Sequence, residues 1–433
     1  MMLMSGKTPW AAGTVARPHR VRRMTQDLRR TLGVFDAVVI GLGSMLGAGI
    51  FVALAPAARA AGPGLLPALG IAAVVAYCNA MASARLAARY PASGGTYVYG
   101  RERLGPFWGY LAGWAFVVGK TASCAAMALT VGSYVWPAYA HEVAVAAVVA
   151  LTAVNYGGVR KSAWLTRVIV AVVLAVLAAV VVAAAGAGRV ERLALAGDIP
   201  AGGVLQAAGL LFFAFAGYAR ITTLGEEVRD PERTIPRAVP IALGITLVVY
   251  AAVAVTVLAV LGPAALAGSG APLADAARAA GASWLVPFVT VGAAVGALGS
   301  LLSLILGVSR TTLAMARDGH MPAPLAAVHP RFQVPHRAEL AVGAVVAVLA
   351  ATVDVRGAIG FSSFGVLVYY GIANASAWTL TRRDRPLAVL GLAGCAALAF
   401  ALPPASVLAG TGVLAVGVVA YAIRRGRPGS LRL

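Results

Sequence analysis

Long apolar runs recur along this chain, and most reach the length needed to cross a bilayer. At about 1.5 Å per residue, roughly 20 residues of helix span the hydrocarbon layer of about 30 Å. Hydrophobic residues make up 60% of the 433 residues and charged residues only 12%, whereas globular chains are about 25% charged. The sequence therefore predicts an all-α, polytopic membrane protein.

Apolar runs bounded by charges, Gly or Pro predict twelve membrane spans, of which the ninth and the eleventh are short. They cover residues 36–58, 65–88, 106–136, 139–157, 163–186, 204–225, 237–261, 283–307, 338–353, 357–380, 387–402 and 405–423.

The positions of Lys and Arg predict the orientation. Most of the 35 basic residues fall in the N-terminal tail or in loops after even-numbered spans, which the positive-inside rule assigns to the cytoplasm. The exceptions are Arg59, Arg189, Arg192, Arg278, Arg356 and the intramembrane Lys120. Residues 1–35 and 424–433 are then cytoplasmic tails, without a cleaved signal. The net charge of +20 reflects topology and contact with membrane lipids, and not nucleic-acid binding.

Cysteine and histidine give no sign of a disulfide, a metal site or a cofactor. Cys78, Cys124 and Cys395 lie inside predicted spans. The five His residues fall in loops or tails without ligand spacing. Arg far outnumbers Lys, and Ala and Val fill the spans, which is typical of a high-GC bacterial genome. We therefore expect a protein of the bacterial cytoplasmic membrane.

Small residues interrupt the middle of the first span, at Gly43, Ser44, Gly47 and Gly49. Unwound backbone is tolerated in a membrane only where it is buried in protein or lines a cavity. A glycine-broken span without central charge therefore indicates a binding site made of peptide N–H and C=O groups. The alternative is that these glycines only allow neighbouring helices to approach closely.

The sixth span has the same character. In GLLFFAFAGYARITTL (209–224), aromatic and small residues surround Gly217. Two interrupted spans five helices apart predict a five-plus-five inverted repeat of residues 36–186 and 204–380, followed by two added spans over 387–423. An uninterrupted core helix is the alternative for 209–224.

The third span contains Lys120. A lysine in mid-membrane costs at least about 2.5 kcal/mol on the most lenient insertion scale. Either its stem reaches one interface, or the ammonium is a titratable group that faces a hydrated cavity.

Several segments together resemble the amino acid, polyamine and organocation transporter superfamily, and in particular its bacterial amino acid permeases. The matching segments are GSMLGAGIF (43–51), PASGGTYVY (91–99), FFAFAGYA (212–219), GEEVRDPERTIPRA (225–238), SRTTLAMARDGHMP (309–322) and HPRFQVP (329–335). The resemblance implies twelve transmembrane helices in a leucine-transporter-like fold with helices 1 and 6 broken. It also implies secondary transport of amino acids by alternating access.

Carried over by position, the resemblance implies a site made mainly of peptide groups. The α-carboxylate would meet backbone N–H groups at the start of a half-helix, which carries partial positive charge. These donors belong to Gly47, Ala48 and Gly49. The α-ammonium would meet the carbonyl groups of Met45, Phe213 and Ala216. The other implied residues are Gly217 at the second interruption, Phe213, Phe215 and Tyr218 as a gate, and Ser123, Met127 and Ser362 beside the side chain.

Two departures from the family pattern leave the coupling ion open. Many relatives have an acid two positions after the sixth-span glycine, but here Gly217 is followed by Tyr218, Ala219 and Arg220. Some proton-coupled relatives have a lysine midway along the fifth span, and residues 168–188 contain no ionisable group here. Lys120 is a candidate substitute for that lysine. Protons are the expected coupling ion, and sodium is the other candidate.

The leading hypothesis is proton-coupled import of a small neutral amino acid, with Lys120 as the coupling residue. The scarcity of acids in the spans argues against cationic substrates. The alternative is an exchanger of amino acids or amines, cationic ones included, without obligatory ion coupling. An enzyme would need a nucleophile and base or clustered acids, and a sensor would need a signalling domain; the sequence has neither pattern. The amino acid itself and the oligomeric state are not predicted.

Overall fold

A computed structural model describes residues 30–91, 94–158, 163–195, 199–200, 202–225 and 227–425. The predicted tails lie mostly outside these residues. Helices dominate the described chain, in which one isolated parallel β-bridge joins Leu32 to Val228. In chain order, the α-helices are α1 (Val34–Met45), α2 (Ala48–Val52), α3 (Leu54–Ala61), α4 (Leu65–Arg89), α5 (Thr96–Leu104), α6 (Pro106–Val135), α7 (Ala140–Tyr156), α8 (Ala163–Ala184), α9 (Gly203–Phe215), α10 (Ala219–Thr222), α11 (Pro231–Gly268), α12 (Pro272–Ala279), α13 (Val286–Arg317), α14 (His336–Thr352), α15 (Val355–Trp378), α16 (Arg385–Ala401) and α17 (Pro404–Arg425).

Eleven helical segments among the described residues are long and apolar enough to cross a membrane, as expected of a multi-pass membrane protein. The predicted ninth span falls on α14, which has 17 residues and is not among the eleven. At about 1.5 Å per residue, α14 is about 25 Å long, somewhat less than the hydrocarbon layer. The predicted eleventh span, also short, falls within the segment Arg382–Ala401, which is among them.

The longest helices have recognisable boundaries. α6 starts at Pro106, a residue that suits the first turn because its missing N–H would be unpaired there anyway. α13 continues ten residues beyond the predicted end of the eighth span, to Arg317, and the chain turns at Gly319 with φ 75°. A positive φ of this kind favours glycine, so the sequence ends the helix here.

The site is assembled around α6. This helix packs against α13 on one side and α15 on another. At the α15 contact, a Cβ built on Gly365 would lie 3.0 Å from the Gly119 Cα atom. The two helices therefore touch backbone to backbone beside Lys120. α1 and α4 pack against α11, and α4 also packs against α9. These helices form the rest of the buried centre.

Candidate functional site

The first long apolar run is interrupted at Leu46 and Gly47. α1 ends at Met45, and α2 begins at Ala48 after Gly47, whose φ of -83° and ψ of -135° are not helical. The first N–H groups of a helix have no partner within that helix. The start of α2 therefore presents peptide donors in the middle of an apolar segment.

The second interruption lies between α9 and α10. α9 ends at Phe215, and a turn of 3-10 helix over Ala216–Tyr218 leads into α10. Here the Ala216 carbonyl oxygen accepts hydrogen bonds from two other helices. The Lys120 ammonium donates from 3.2 Å and the Tyr370 hydroxyl from 3.3 Å. This carbonyl is thus a point where α6 and α15 meet the interruption.

The two interruptions pack directly on each other. A Cβ built on Gly217 would lie 2.3 Å from the Ser44 carbonyl oxygen, and one on Gly49 would lie 2.6 Å from the Ala214 Cα atom. Neither distance leaves room for a side-chain carbon, since backbone atoms cannot move aside as a flexible side chain can. Glycine at both positions is therefore required by this packing.

A tyrosine on α11 joins the two interruptions. The Tyr250 hydroxyl lies within hydrogen-bonding distance of the carbonyl oxygens of Met45, at the end of α1, and of Ala214, in α9, the latter at 3.0 Å. A hydroxyl has one proton to donate, so it serves one carbonyl at a time. Tyr250 is fully buried, and its ring packs on Phe215 with 5.1 Å between the centroids.

A cavity of about 260 Å³ lies between the interruptions, α6 and α13. Along α13 its wall runs from Ser300 to Ala314, a rise of about 20 Å. The lining residues are Ser44, Met45, Ala48 and Gly49 on α1 and α2; Phe116, Lys120, Ser123 and Met127 on α6; Phe213, Ala214, Ala216, Gly217, Ala219 and Arg220 on α9, α10 and the turn between them; Ser300, Ser303, Leu304, Gly307, Arg310, Thr311 and Ala314 on α13; and Gly94, Tyr97, Thr223, Glu227 and Tyr369 elsewhere.

Most of the residues that the sequence analysis assigned to the site border this cavity. They are Met45, Ala48, Gly49, Lys120, Ser123, Met127, Phe213, Ala216 and Gly217. Lys120 is only 7% exposed, and its ammonium points to the second interruption, as its bond to the Ala216 carbonyl shows. Its stem therefore does not carry the charge to a membrane interface.

Two other predicted residues lie one layer behind the cavity wall. Gly47 faces α13, where a Cβ would lie 2.3 Å from the Ser300 Oγ atom. The Ser362 hydroxyl on α15 is 2.6 Å from the Ser123 hydroxyl, and one of the two donates to the other. Ser362 thus holds a cavity-lining side chain in place without bordering the cavity.

Two of the three predicted gate aromatics are packed in the interior. Phe215 lies against Tyr250. Tyr218 is 0% exposed, and its ring stacks on that of Tyr370 with 5.0 Å between the centroids. Phe213 is the predicted gate residue that borders the cavity in this conformation.

The cavity also has charged residues to which the sequence analysis gave no role. Arg220 on α10, Arg310 on α13 and Glu227 in the loop after α10 line it together with Lys120. Arg220 was visible as an ionisable residue in a predicted span, a pattern that by itself indicates function. Arg310 and Glu227 had no such signal, because their neighbours in sequence are loop-like and mixed in charge.

The rim at Glu227 is joined to the start of the described chain. The Glu227 carbonyl accepts hydrogen bonds from the N–H groups of Thr31 at 3.0 Å and Leu32 at 3.1 Å, and the Arg229 N–H donates to the Leu32 carbonyl at 2.9 Å. These bonds form a short parallel pairing between the segment that precedes α1 and the loop after α10.

Tyr97 on α5 connects the cavity to a second polar cluster. Its hydroxyl donates to the Asp318 carboxylate and lies 3.0 Å from His320 Nδ1. Burial, together with the adjacent Asp318 carboxylate, raises the pKa of Tyr97 far above its usual range. Burial also lowers the pKa of His320. Both groups are therefore expected to be uncharged near neutral pH, so the carboxylate relies on Tyr97 and on Arg101, 3.3 Å away, for its hydrogen bonds.

Comparison with known proteins gives consistent matches over almost the whole chain. The family described as "Amino acid permease" matches residues 32–424. The uncharacterized transporter Rv1999c of Mycobacterium tuberculosis is 73% identical over 415 residues, covering 94% of each chain. The branched-chain amino acid permease BcaP of Bacillus subtilis is 27% identical, covering 84% of this chain and 83% of its own. The human cationic amino acid transporter 4 is 30% identical, covering 80% of this chain and 59% of its own.

Proposed function

Because this chain belongs to the amino acid permease family and is a multi-pass membrane transporter, not an enzyme, we propose that it imports small neutral amino acids. Transport would proceed by alternating access across the bacterial cytoplasmic membrane, and substrate movement would be coupled to proton movement. The observation that supports the proposal is a cavity lined by residues of both helix interruptions, where the regular helical backbone is broken.

Peptide groups at the interruptions suit the two ends of a zwitterion. Donors at the start of α2, from Gly47, Ala48 and Gly49, would bind the α-carboxylate. Carbonyl groups of Met45, Phe213 and Ala216 would bind the α-ammonium. Phe213 would cover the substrate, with Phe215 and Tyr218 joining it only after a rearrangement, since both are packed in the interior here.

The proposed architecture is a leucine-transporter-like fold of twelve helices. Residues 36–186 and 204–380 would be inverted repeats, each of which begins with an interrupted helix, and α14 would be the ninth, short span. With both termini in the cytoplasm, as the basic loops favour, the wall of the cavity along α13 descends towards the cytoplasmic side. The structure would then be an inward-facing state.

Lys120 is the proposed coupling residue. Its ammonium donates to the Ala216 carbonyl, which is also one of the groups proposed to bind the substrate ammonium. A proton gained or lost by Lys120 changes the charge at that carbonyl, so proton binding and substrate binding become linked. Sodium is the other candidate coupling ion. A sodium-coupled mechanism would not use this link between the charge of Lys120 and substrate binding.

Uptake into proteoliposomes tests the coupling. We expect Lys120→Met, which removes the charge, and Lys120→Arg, which fixes it, both to abolish the dependence of uptake on a pH gradient. Ser303→Ala is the matched control, because Ser303 lines the same cavity and its described hydrogen bond is to the Gly299 carbonyl in its own helix. A gradient dependence that persists in both Lys120 variants would remove Lys120 from the mechanism.

The second candidate is an exchanger without obligatory ion coupling, with cationic amino acids or polyamines among its substrates. The similarity to the human cationic amino acid transporter 4 favours it. Counterflow that continues at full rate with no ion gradient would support the exchanger over the coupled importer.

The identity of the amino acid is open to a direct screen. A bound ligand raises the unfolding temperature by mass action. Thermal unfolding of the purified protein with each of the twenty amino acids would rank them, and an absence of any shift at millimolar concentration would contradict the proposed function.

A further inference from the structure

Among the described residues, the charges around the cavity are unbalanced. In this part of the chain, Lys120, Arg220 and Arg310 line the cavity together with one acid, Glu227. Five ion pairs occur among the described residues, and none of them includes any of these four groups. The cavity therefore presents an excess of positive charge that the described part of the protein does not neutralise.

Arg220 follows the second interruption directly in sequence. It lies four residues after Ala216, in the helix that continues from the 3-10 turn, and both residues line the cavity. The side chain is half-buried, and its described hydrogen bond is one to the Thr223 hydroxyl at 3.4 Å. A guanidinium has five N–H donors, so most of them have no acceptor among the described residues.

Arg310 on α13 adds a further positive charge, because it lines the same cavity and is an exposed residue. Glu227 and Arg310 line the same cavity as Arg220. A planar guanidinium whose donors are unused is the group best suited to bind a carboxylate in a bidentate manner.

We propose that Arg220 forms a second anion-binding subsite, which receives the side-chain carboxylate of a small dicarboxylic amino acid of the aspartate or glutamate class. The inference rests on the proposed function and extends its substrates from neutral side chains to acidic ones. The α-carboxylate and α-ammonium stay at the interruptions, and the side chain extends along the cavity wall towards Arg220. A cationic side chain would instead meet three positive groups and one negative group, which disfavours it.

Comparison of an acidic amino acid with its amide measures the contribution of the side-chain carboxylate to binding. Aspartate and asparagine, like glutamate and glutamine, have almost the same shape and differ in charge. We expect each acid to bind the purified full-length protein about tenfold more tightly than its amide, the range of one charge-assisted hydrogen bond. The readout is the ligand concentration that gives half of the maximal thermal shift, with potassium salts at constant ionic strength.

Arg220→Gln should remove the preference and leave the affinity for the amides unchanged. Arg220→Lys keeps the charge and should retain part of the preference, which distinguishes loss of the subsite from loss of folding. Arg237→Gln is the matched control, because Arg237 is an exposed arginine on α11 that does not line the cavity. It should keep the full preference.

Two results would overturn the subsite. One is equal binding of acid and amide to the unaltered protein. The other is an Arg220→Gln variant that weakens acid and amide alike, since Arg220 would then serve the α-carboxylate or the helix interruption. Failure of the proposed function would look different. A protein that binds acids more tightly than amides but transports no amino acid would support the subsite and contradict the proposed transport function.

Discussion

Two glycines determine how closely the two interruptions approach, because glycine has only a hydrogen atom in place of a side chain. Gly217 lies against the backbone of Ser44 and Met45, and Gly49 lies against that of Ala214. Because both glycines also border the cavity, a substitution that separates the interruptions also changes the spacing of the peptide groups that are proposed to bind substrate.

Replacing Gly217 by Ala should therefore impair uptake. Forcing a methyl group into close-packed backbone costs about 1–3 kcal/mol. This corresponds to a loss of about 5-fold to about 150-fold in substrate affinity if the strain is relieved by moving the interruptions apart. The measurement is the concentration dependence of initial uptake in proteoliposomes. Gly244→Ala is the control, since a Cβ at this helical position meets nothing within 4 Å; equal effects of the two substitutions would refute the packing argument.

Single residues also mark where prediction from sequence succeeds and where it stops. Glycines at 43–49 and around 217 indicated the interruptions because backbone freedom is a local property that is written in the residues themselves. Tyr250, Ser300 and Arg310 had no such local sign. Their importance comes from the elements they face across the bundle, and hydropathy does not tell which side of a span faces a cavity.

Among the elements, α11 links the interrupted helices to each other. The Tyr250 hydroxyl lies between the Met45 and Ala214 carbonyl groups, so neither interruption can shift far without breaking or exchanging its bond.

Tyr250→Phe should lower both stability and uptake. Loss of the hydroxyl removes a hydrogen bond from one buried carbonyl group at a time, at a cost of about 1–3 kcal/mol. We expect a lower midpoint of thermal unfolding in detergent and slower uptake at saturating substrate. Tyr77→Phe, on an exposed face of α4, is the control, and unchanged uptake in Tyr250→Phe would show that the link is not needed for transport.

Helix boundaries followed the sequence well where an apolar run ended in charge or proline, as at the start of α6. The helix and the predicted membrane span end at different residues where a polar segment continues the helix. α13 extends past the predicted end of the span to Arg317, in agreement with a sequence that is partly helical up to Gly319. This extension supplies the lower wall of the cavity with Arg310, Thr311 and Ala314. A hydropathy boundary marks the expected edge of the lipid, whereas the helix continues as long as its backbone is paired.

At the scale of the whole molecule, the proposed inward-facing state predicts which side of the membrane reaches the cavity. Ala314 is exposed at the lower end of the wall, and the native cysteines Cys78, Cys124 and Cys395 are buried. We expect Ala314→Cys to react with a membrane-impermeant thiol reagent in inside-out vesicles, and not in right-side-out ones.

Substitution of Val135 by cysteine is the corresponding control for the external side of the membrane. Val135 is exposed at the far end of α6, which the proposed topology places outside the cell, so Val135→Cys should react only in right-side-out vesicles. Labelling of both positions from the same side would contradict the orientation and the inward-facing assignment together.

The hydrogen bonds from Thr31 and Leu32 to Glu227 connect the segment before α1 to a loop that lines the cavity. A displacement applied ahead of residue 31 acts on the loop that carries Glu227 as well as on α1, which begins at Val34. Fusion of a bulky tag close to this segment is therefore a mechanical perturbation of the entrance, and a tag at the other end of the chain is the safer position for functional measurements.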